Sequence, residues 1–156
     1  MAQQRVIVVV GAGRSGTSAV TRGVNALGVE LGDNLRRRSG KNPRGFYEDR
    51  DLTHVNHRLR DIFGCRRSGA GVAPIPENQF DQPDVADIAD EAVALIQRRF
   101  GDSPLWGFKT GGVLNFLPFW ERVFARAGVQ PSYVLAVRNP ISVARSRARL
   151  DRWRGT

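Results

Sequence analysis

A glycine-rich turn between a strand-like and a helix-like segment is the first place where this sequence could do chemistry. The apolar run Arg5–Val10 leads into a turn with glycines, an arginine and hydroxyls, namely Gly11, Gly13, Arg14, Ser15, Gly16, Thr17 and Ser18. Backbone N–H groups of such a turn, together with the N-terminus of the following helix, bind phosphate-like anions. A guanidinium can place two hydrogen bonds on the same anion. Since a helix cap alone needs one hydroxyl, the turn predicts an anion site.

A second anion site is predicted near the other end of the sequence. The apolar run Ser132–Val137 ends at Arg138, and Asn139 and Pro140 have the residue types of a helix N-cap and a first helical position. Open parallel sheets bind ligands at the carboxyl ends of their strands, so Arg138 should face the binding crevice. Ser146 follows eight residues later in the same predicted helix. The two residues predict a second contact for an anion.

Both segments resemble those with which sulfotransferases bind 3′-phosphoadenosine 5′-phosphosulfate (PAPS), their sulfuryl donor. The run Arg14–Ser18 is similar to the 5′-phosphosulfate loop of the carbohydrate branch, and Arg138 and Ser146 have the family's spacing for 3′-phosphate contacts. The resemblance runs from about Val6 to Leu150. It implies a metal-independent enzyme that transfers a sulfuryl group from PAPS to a hydroxyl acceptor, such as a carbohydrate or a lipid-linked sugar. The donor-binding residues that it implies are Arg14, Ser15, Gly16, Thr17, Ser18, Arg138 and Ser146.

Two further segments carry the same resemblance. Pro43–Asp49 is similar to a Gly-aromatic-aromatic-Glu-Asp segment of bacterial sulfotransferases. Trp106–Lys109 followed by Leu117–Trp120 resembles the strand and helix that precede their 3′-phosphate strand. The sequence departs from the family after Lys109, because Gly111 stands where the cytosolic enzymes have a catalytic histidine.

The resemblance also implies roles for the reacting groups. Sulfuryl transfer, by analogy with phosphoryl transfer, needs positioning and stabilisation of the charge that develops on the leaving phosphate. Arg14 and Lys109 are the candidate cations for that charge. Glu48 is the candidate general base that takes the proton of the acceptor hydroxyl, and His54 and His57 are the alternatives.

Two other functions fit parts of the sequence. The glycines of the first turn match the G-x-G-x-x-G fingerprint of a dinucleotide-binding oxidoreductase domain, and Glu30 lies near the position of its ribose-binding acid. Hydroxyls at the helix start and the glycines that flank Glu30 count against this match. The net charge of +9 would also suit a basic nucleic-acid-binding module. Neither alternative explains both anion sites, so we expect no nucleic-acid partner.

The anion sites require strands and helices in alternation along the chain. Hydrophobic periodicity predicts strands over 5–10, 105–109 and 132–137 and helices over 17–27, 49–63, 83–100, 115–127 and 140–153. The first and last strands are apolar without alternation, which is typical of parallel strands buried on both faces. We therefore expect an α/β fold, with a three-layer, P-loop-like parallel sheet flanked by helices as in sulfotransferases.

Length and composition narrow the class of protein. A chain of 156 residues predicts one domain over 1–156. Because sulfotransferases continue past the 3′-phosphate helix, the resemblance predicts that this domain lacks its C-terminal part. The single cysteine, Cys65, excludes an internal disulfide framework. No apolar run approaches the roughly 18–20 residues of a membrane helix, and no signal peptide precedes the first strand, so we expect a cytoplasmic protein.

Overall fold

Three parallel strands form the centre of the protein, which the computed structural model describes over residues 3–39, 45–65 and 74–152. They are β1 (Arg5–Gly11), β2 (Leu105–Phe108) and β3 (Gln130–Ala136). Within the described residues they pair in the order β2–β1–β3, with β1 in the middle. The expected α/β fold with a parallel sheet flanked by helices is confirmed.

Helices connect and flank these strands. The α-helices of the described chain are α1 (Thr17–Ala26), α2 (Arg50–Ile62), α3 (Pro83–Phe100), α4 (Leu117–Ala127) and α5 (Pro140–Arg152). Short 3-10 helices at Glu77–Asp81 and Val113–Phe116 were not expected from the sequence. In these ranges, no helix combines the length and the apolar character needed to cross a membrane. Pro43 and Arg44 of the Gly-aromatic segment, and the chain from Trp153 onward, lie outside the described residues.

The hydrophobic core lies on one face of the sheet. The apolar faces of α2, α3 and α4 cover this side, where they bury the aromatic side chains of β2 and alternate valines of β1, namely Val6, Val8 and Val10. The rings of Trp106 and Phe100 stack with their centroids 4.3 Å apart, and such pairs add to the gain from burial alone. Among the described residues, none from α1 or α5 belongs to this core. The side chains of Trp106 and Trp120 are fully buried in this core.

The segment that follows α1 lies beside β2 and not beside β1. The backbone N–H of Glu30 donates a hydrogen bond to the carbonyl of Leu105 (3.3 Å), and the N–H of Gly107 donates to the carbonyl of Glu30 (2.7 Å). β2 therefore lies between this segment and β1. Doubly wound dinucleotide-binding sheets place their second strand next to the first. The observed arrangement differs from the one that the dinucleotide-binding alternative requires.

A hairpin-like connection, here called the strap (residues 33–39 and 45–49), leads from this segment to α2. Its two arms pair at the base, where the N–H of Arg36 donates to the carbonyl of Glu48 (2.7 Å) and the N–H of Arg50 donates to the carbonyl of Asn34 (2.9 Å). This pairing was not expected from the sequence. Because of this pairing, the side chains of the second arm have defined positions.

A buried carboxylate fixes the base of the strap to α2 and α3. Asp49 is 1% exposed, and its Oδ1 caps α2 by accepting from the N–H groups of Asp51 (3.0 Å) and Leu52 (3.1 Å). Nη2 of Arg99, near the end of α3, lies 2.8 Å from Oδ2 of Asp49 and 2.6 Å from Oδ1 of Asp33. The hydrogen bond with Asp49 is the main cause that raises the pKa of Arg99 above its usual value. One carboxylate thus joins three elements.

We predict that Asp49→Ala destabilises the protein by about 2–4 kcal/mol, because it removes a helix cap and leaves a partly buried guanidinium with one partner fewer. Urea unfolding followed by circular dichroism measures the change. Asp84→Ala is the matched control, since Asp84 is an exposed carboxylate in the first turn of α3 without a capping contact. Its effect should stay within about 0.5 kcal/mol. Equal effects of the two substitutions would contradict the anchoring role of Asp49.

Candidate functional site

Three segments that carry predicted functional residues meet at the carboxyl edge of the sheet. β1 continues into the glycine loop before α1, β2 ends immediately before Lys109, and β3 ends two residues before Arg138. The strands are neighbours and parallel, so these ends lie side by side. The fold thereby brings the loop residue Arg14 close to residues that are far from it in the sequence.

The glycine loop follows a path that ordinary residues rarely adopt. Arg14 has a φ of 75° and Gly16 a φ of 100°, both in the left-handed region. A Cβ at Gly11 would lie 2.6 Å from the carbonyl oxygen of Ala136 in β3. Glycine is therefore required at position 11, because the start of the loop passes close to the backbone of the neighbouring strand.

The two predicted anion sites are in direct contact with each other. Nε of Arg14 donates to Oγ of Ser146 (2.9 Å), and Nη1 of Arg138 donates to the carbonyl oxygen of Arg14 (3.1 Å). Asn139 caps α5 as expected, since its Oδ1 accepts from the N–H of Ile141 (3.0 Å). The residues expected to bind separate phosphates thus form one continuous hydrogen-bonded surface.

A cavity of about 670 Å³ opens over this surface. Its lining includes the predicted residues Arg14, Gly16, Thr17, Ser18 and Arg138, together with Arg22 and Tyr47. No acidic side chain is among the described residues that line it. Within the described residues, none of the three arginines that line the cavity forms an ion pair with a carboxylate. Unpaired guanidiniums around one cavity are suited to a ligand with more than one negative group.

Two of the predicted donor-binding residues, Ser15 and Ser146, are not among the residues that line the cavity. Ser15 is buried beneath the loop, and its Oγ has no hydrogen-bond partner among the described residues. The hydroxyl of Ser146 accepts a hydrogen bond from the side chain of Arg14. The direct contact of either serine with a ligand therefore stays a prediction.

Lys109 links the strap to the first turn of α1. Its ammonium group, at a residue only 6% exposed, lies 3.0 Å from Oε1 of Glu48. It also donates to the carbonyl oxygen of Phe46 (2.9 Å) and to Oγ of Ser18 (3.1 Å). Burial lowers the pKa of Lys109, and the charge of Glu48 opposes this shift. Nη1 of Arg36 contacts the second oxygen of Glu48 at 3.1 Å, so both carboxylate oxygens accept from cations.

These contacts determine what the pair can do chemically. The ammonium group of Lys109 contacts Ser18, which lines the cavity, so its positive charge can stabilise charge that develops on an anion bound there. In the observed state Glu48 is the counter-charge of Lys109. Release of one of its two cationic partners would leave a carboxylate oxygen open to the proton of a substrate hydroxyl. The alternative bases, His54 and His57, are exposed on α2. Neither these histidines nor the buried pair of Glu48 and Lys109 are among the residues that line the cavity.

Two polar side chains of the cavity, Arg22 and Tyr47, were not predicted from the sequence as site residues. Arg22 lies one helical turn after Ser18 on α1, and the i, i+4 spacing is a signal that could have placed it on the same face. Tyr47 has a φ of 53°, which no sequence pattern indicates for a tyrosine. Within the described ranges, no group of three or more His, Cys, Asp or Glu side chains is arranged to hold a metal ion.

We predict that Lys109 makes the free energy of unfolding rise with pH below 10.5, its usual pKa. The folded state lowers this pKa, so over the interval between the two values the unfolded chain binds more protons, and stability increases with pH. Lys109→Met should abolish this rise. The measurement is urea unfolding of both proteins over a series of pH values from neutral to 10.5.

The wild type and Lys109→Met share every other titratable group, so the contributions of those groups cancel when the two unfolding free energies are subtracted. Burial raises the pKa of Tyr133 to about 12, so that group lowers stability at high pH, but it does so equally in both proteins. The difference between the wild-type and Lys109→Met free energies therefore isolates Lys109. A difference that stays flat or falls as the pH rises would contradict the lowered pKa.

Comparison with known proteins provides no relative from which a function could be transferred. No family model, no curated protein and no solved structure matches the chain. The chemistry of the site therefore has to follow from its own geometry and charge.

Proposed function

We propose that the protein is a PAPS-dependent sulfotransferase that moves a sulfuryl group to a hydroxyl acceptor, such as a carbohydrate or a lipid-linked sugar. One observation carries the proposal. Arg14 and Arg138, which follow two neighbouring strands, line the same cavity, and the side chain of Arg138 donates a 3.1 Å hydrogen bond to the backbone carbonyl of Arg14. A nucleotide with separate 5′ and 3′ anionic groups matches this pair of cations. The sheet with a glycine loop at its carboxyl edge is, in this proposal, a P-loop-like sulfotransferase fold.

The donor would be held by groups that the structure leaves without acidic partners. In this proposal Arg14, the N–H groups of the loop, Thr17 and Ser18 hold the 5′-phosphosulfate, and Arg138 with Ser146 holds the 3′-phosphate. The buried hydroxyl of Ser15, which lacks a partner among the described residues, fits a loop that is completed by an anion. When bound, PAPS supplies the sulfuryl group.

The residues around Lys109 would carry the transfer. The bond from the acceptor oxygen to sulfur forms while the bond from sulfur to the phosphate oxygen breaks, so negative charge grows on the departing phosphate. Arg14 and Lys109 stabilise that charge. Glu48 takes the proton of the acceptor hydroxyl, after one of the cations on its carboxylate moves to the growing negative charge. The same movement would free the base and neutralise the leaving group.

The test is calorimetric titration with 3′-phosphoadenosine 5′-phosphate, compared with adenosine 5′-phosphate, which lacks the 3′-phosphate. We expect the first ligand to bind more tightly, because only it reaches Arg138. The Arg138→Ala variant should lose about 10–100-fold of affinity for it, the value of a charge-assisted hydrogen bond, and should bind the second ligand unchanged.

Arg98→Ala is the matched control. It removes the same charge from an exposed position in the last turn of α3, which leads to the amino end of β2 and therefore to the opposite edge of the sheet. Its affinity for both ligands should equal that of the wild type. Equal affinity of the wild type for the two ligands would overturn the proposal. Transfer itself is measured separately, as movement of the label from radiolabelled PAPS to an added alcohol.

A further inference from the structure

The second arm of the strap is bent around the ammonium group of Lys109. That group contacts a residue on each side of Tyr47, namely the carbonyl oxygen of Phe46 (2.9 Å) and Oε1 of Glu48 (3.0 Å). Tyr47 lies between them with a φ of 53°. The left-handed region is unfavourable for a bulky side chain. The two contacts with Lys109 hold the backbone of Tyr47 in this conformation.

The ring of Tyr47 is fixed at the wall of the cavity. Gly45 has a φ of 100°, and a Cβ at that position would lie 3.3 Å from Cε2 and 3.7 Å from Cζ of Tyr47. Glycine therefore leaves the space that the ring fills. Tyr47 lines the cavity together with Arg14 and Ser18. It is half-buried, so part of its surface stays accessible to a ligand.

The other side chains of this arm have clear partners within the protein. The guanidinium of Arg36 lies 4.0 Å from the centre of the Phe46 ring. Glu48 pairs with Lys109, and Asp49 caps α2. Among the described residues, the hydroxyl of Tyr47 has no hydrogen-bond partner. Unfavourable backbone conformations persist where the surroundings impose them, and they concentrate at ligand sites.

We propose that Tyr47 positions the acceptor by packing its ring against a flat ring face of that molecule. The inference rests on the proposed function, because it takes Lys109 and Glu48 as the point of transfer. Tyr47 lines the cavity and its neighbour in the chain is Glu48, the proposed base, so an acceptor ring that packs on Tyr47 would lie close to the point of transfer. Pyranosides and aryl alcohols share the required chemistry, which is an apolar ring face beside a hydroxyl.

The experiment measures binding, so it does not depend on turnover. Saturation-transfer NMR titrations use methyl β-D-glucopyranoside and 4-nitrophenol as probes, with wild type, Tyr47→Asn and Tyr47→Phe. Asparagine is chosen because it tolerates the left-handed region. We expect wild type to bind at least one probe, Tyr47→Asn to bind that probe about tenfold more weakly, and Tyr47→Phe to restore the affinity. The probe that binds identifies a sugar or an aryl acceptor.

Tyr133→Asn is the matched control, because Tyr133 is the chain's other tyrosine and lies on β3. Its probe affinity should equal that of the wild type. The proposal is overturned if neither probe binds, or if Tyr47→Asn binds the probe as tightly as the wild type does. It is also overturned if Tyr47→Asn unfolds at a lower urea concentration than Tyr133→Asn, because Tyr47 would then have a packing role. Nucleotide calorimetry separates the two proposals. If the probe binds in a Tyr47-dependent way but the protein does not distinguish the nucleotide with a 3′-phosphate from the one without it, only the assignment of PAPS as donor is wrong.

Discussion

The ammonium group of Lys109, buried at the carboxyl edge of the sheet, is the constraint on which the arrangement of the site depends. A charge that is removed from water has to be paired and hydrogen-bonded, or its burial destabilises the fold. The partners here are the carboxylate of Glu48, the carbonyl of Phe46 and the hydroxyl of Ser18. The first two belong to the strap and the third to α1. Satisfying one charge therefore brings two distant elements onto the end of β2.

The strap can place Phe46 and Glu48 against Lys109 because contacts that do not involve Lys109 fix its base. Asp49 ends the strap, caps α2 and pairs with Arg99 of α3, while the preceding residue, Glu48, faces Lys109. Adjacent carboxylates thus have different roles: one ties the strap to the helices, and the other meets the buried cation. The fixed base limits where Glu48 and Tyr47 can lie. A site built in this way is preorganised, which electrostatic stabilisation of a reacting anion requires.

The parts of the site that the sequence predicts are those determined by local structure. The loop Arg14–Ser18 and the cap at Asn139 follow from short-range residue types, and the parallel sheet places them at one edge. The pairing of Glu48 with Lys109 is a contact between distant segments, and neither residue type specifies its partner. The conformation of Tyr47 follows from that pairing, so it was not predictable either. The one nearby sequence feature related to this conformation is Gly45, whose lack of a side chain leaves room for the Tyr47 ring.

The central claim is that one nucleotide binds across both anion sites of a single cavity. Phosphorus NMR of 3′-phosphoadenosine 5′-phosphate tests it most directly, because the ligand has a separate resonance for each phosphate. We expect both resonances to shift on binding to the wild-type protein, and only the 3′ resonance to return toward its free position with Arg138→Ala. A complex in which one phosphate keeps its free resonance, or in which both respond equally to that substitution, would contradict the account.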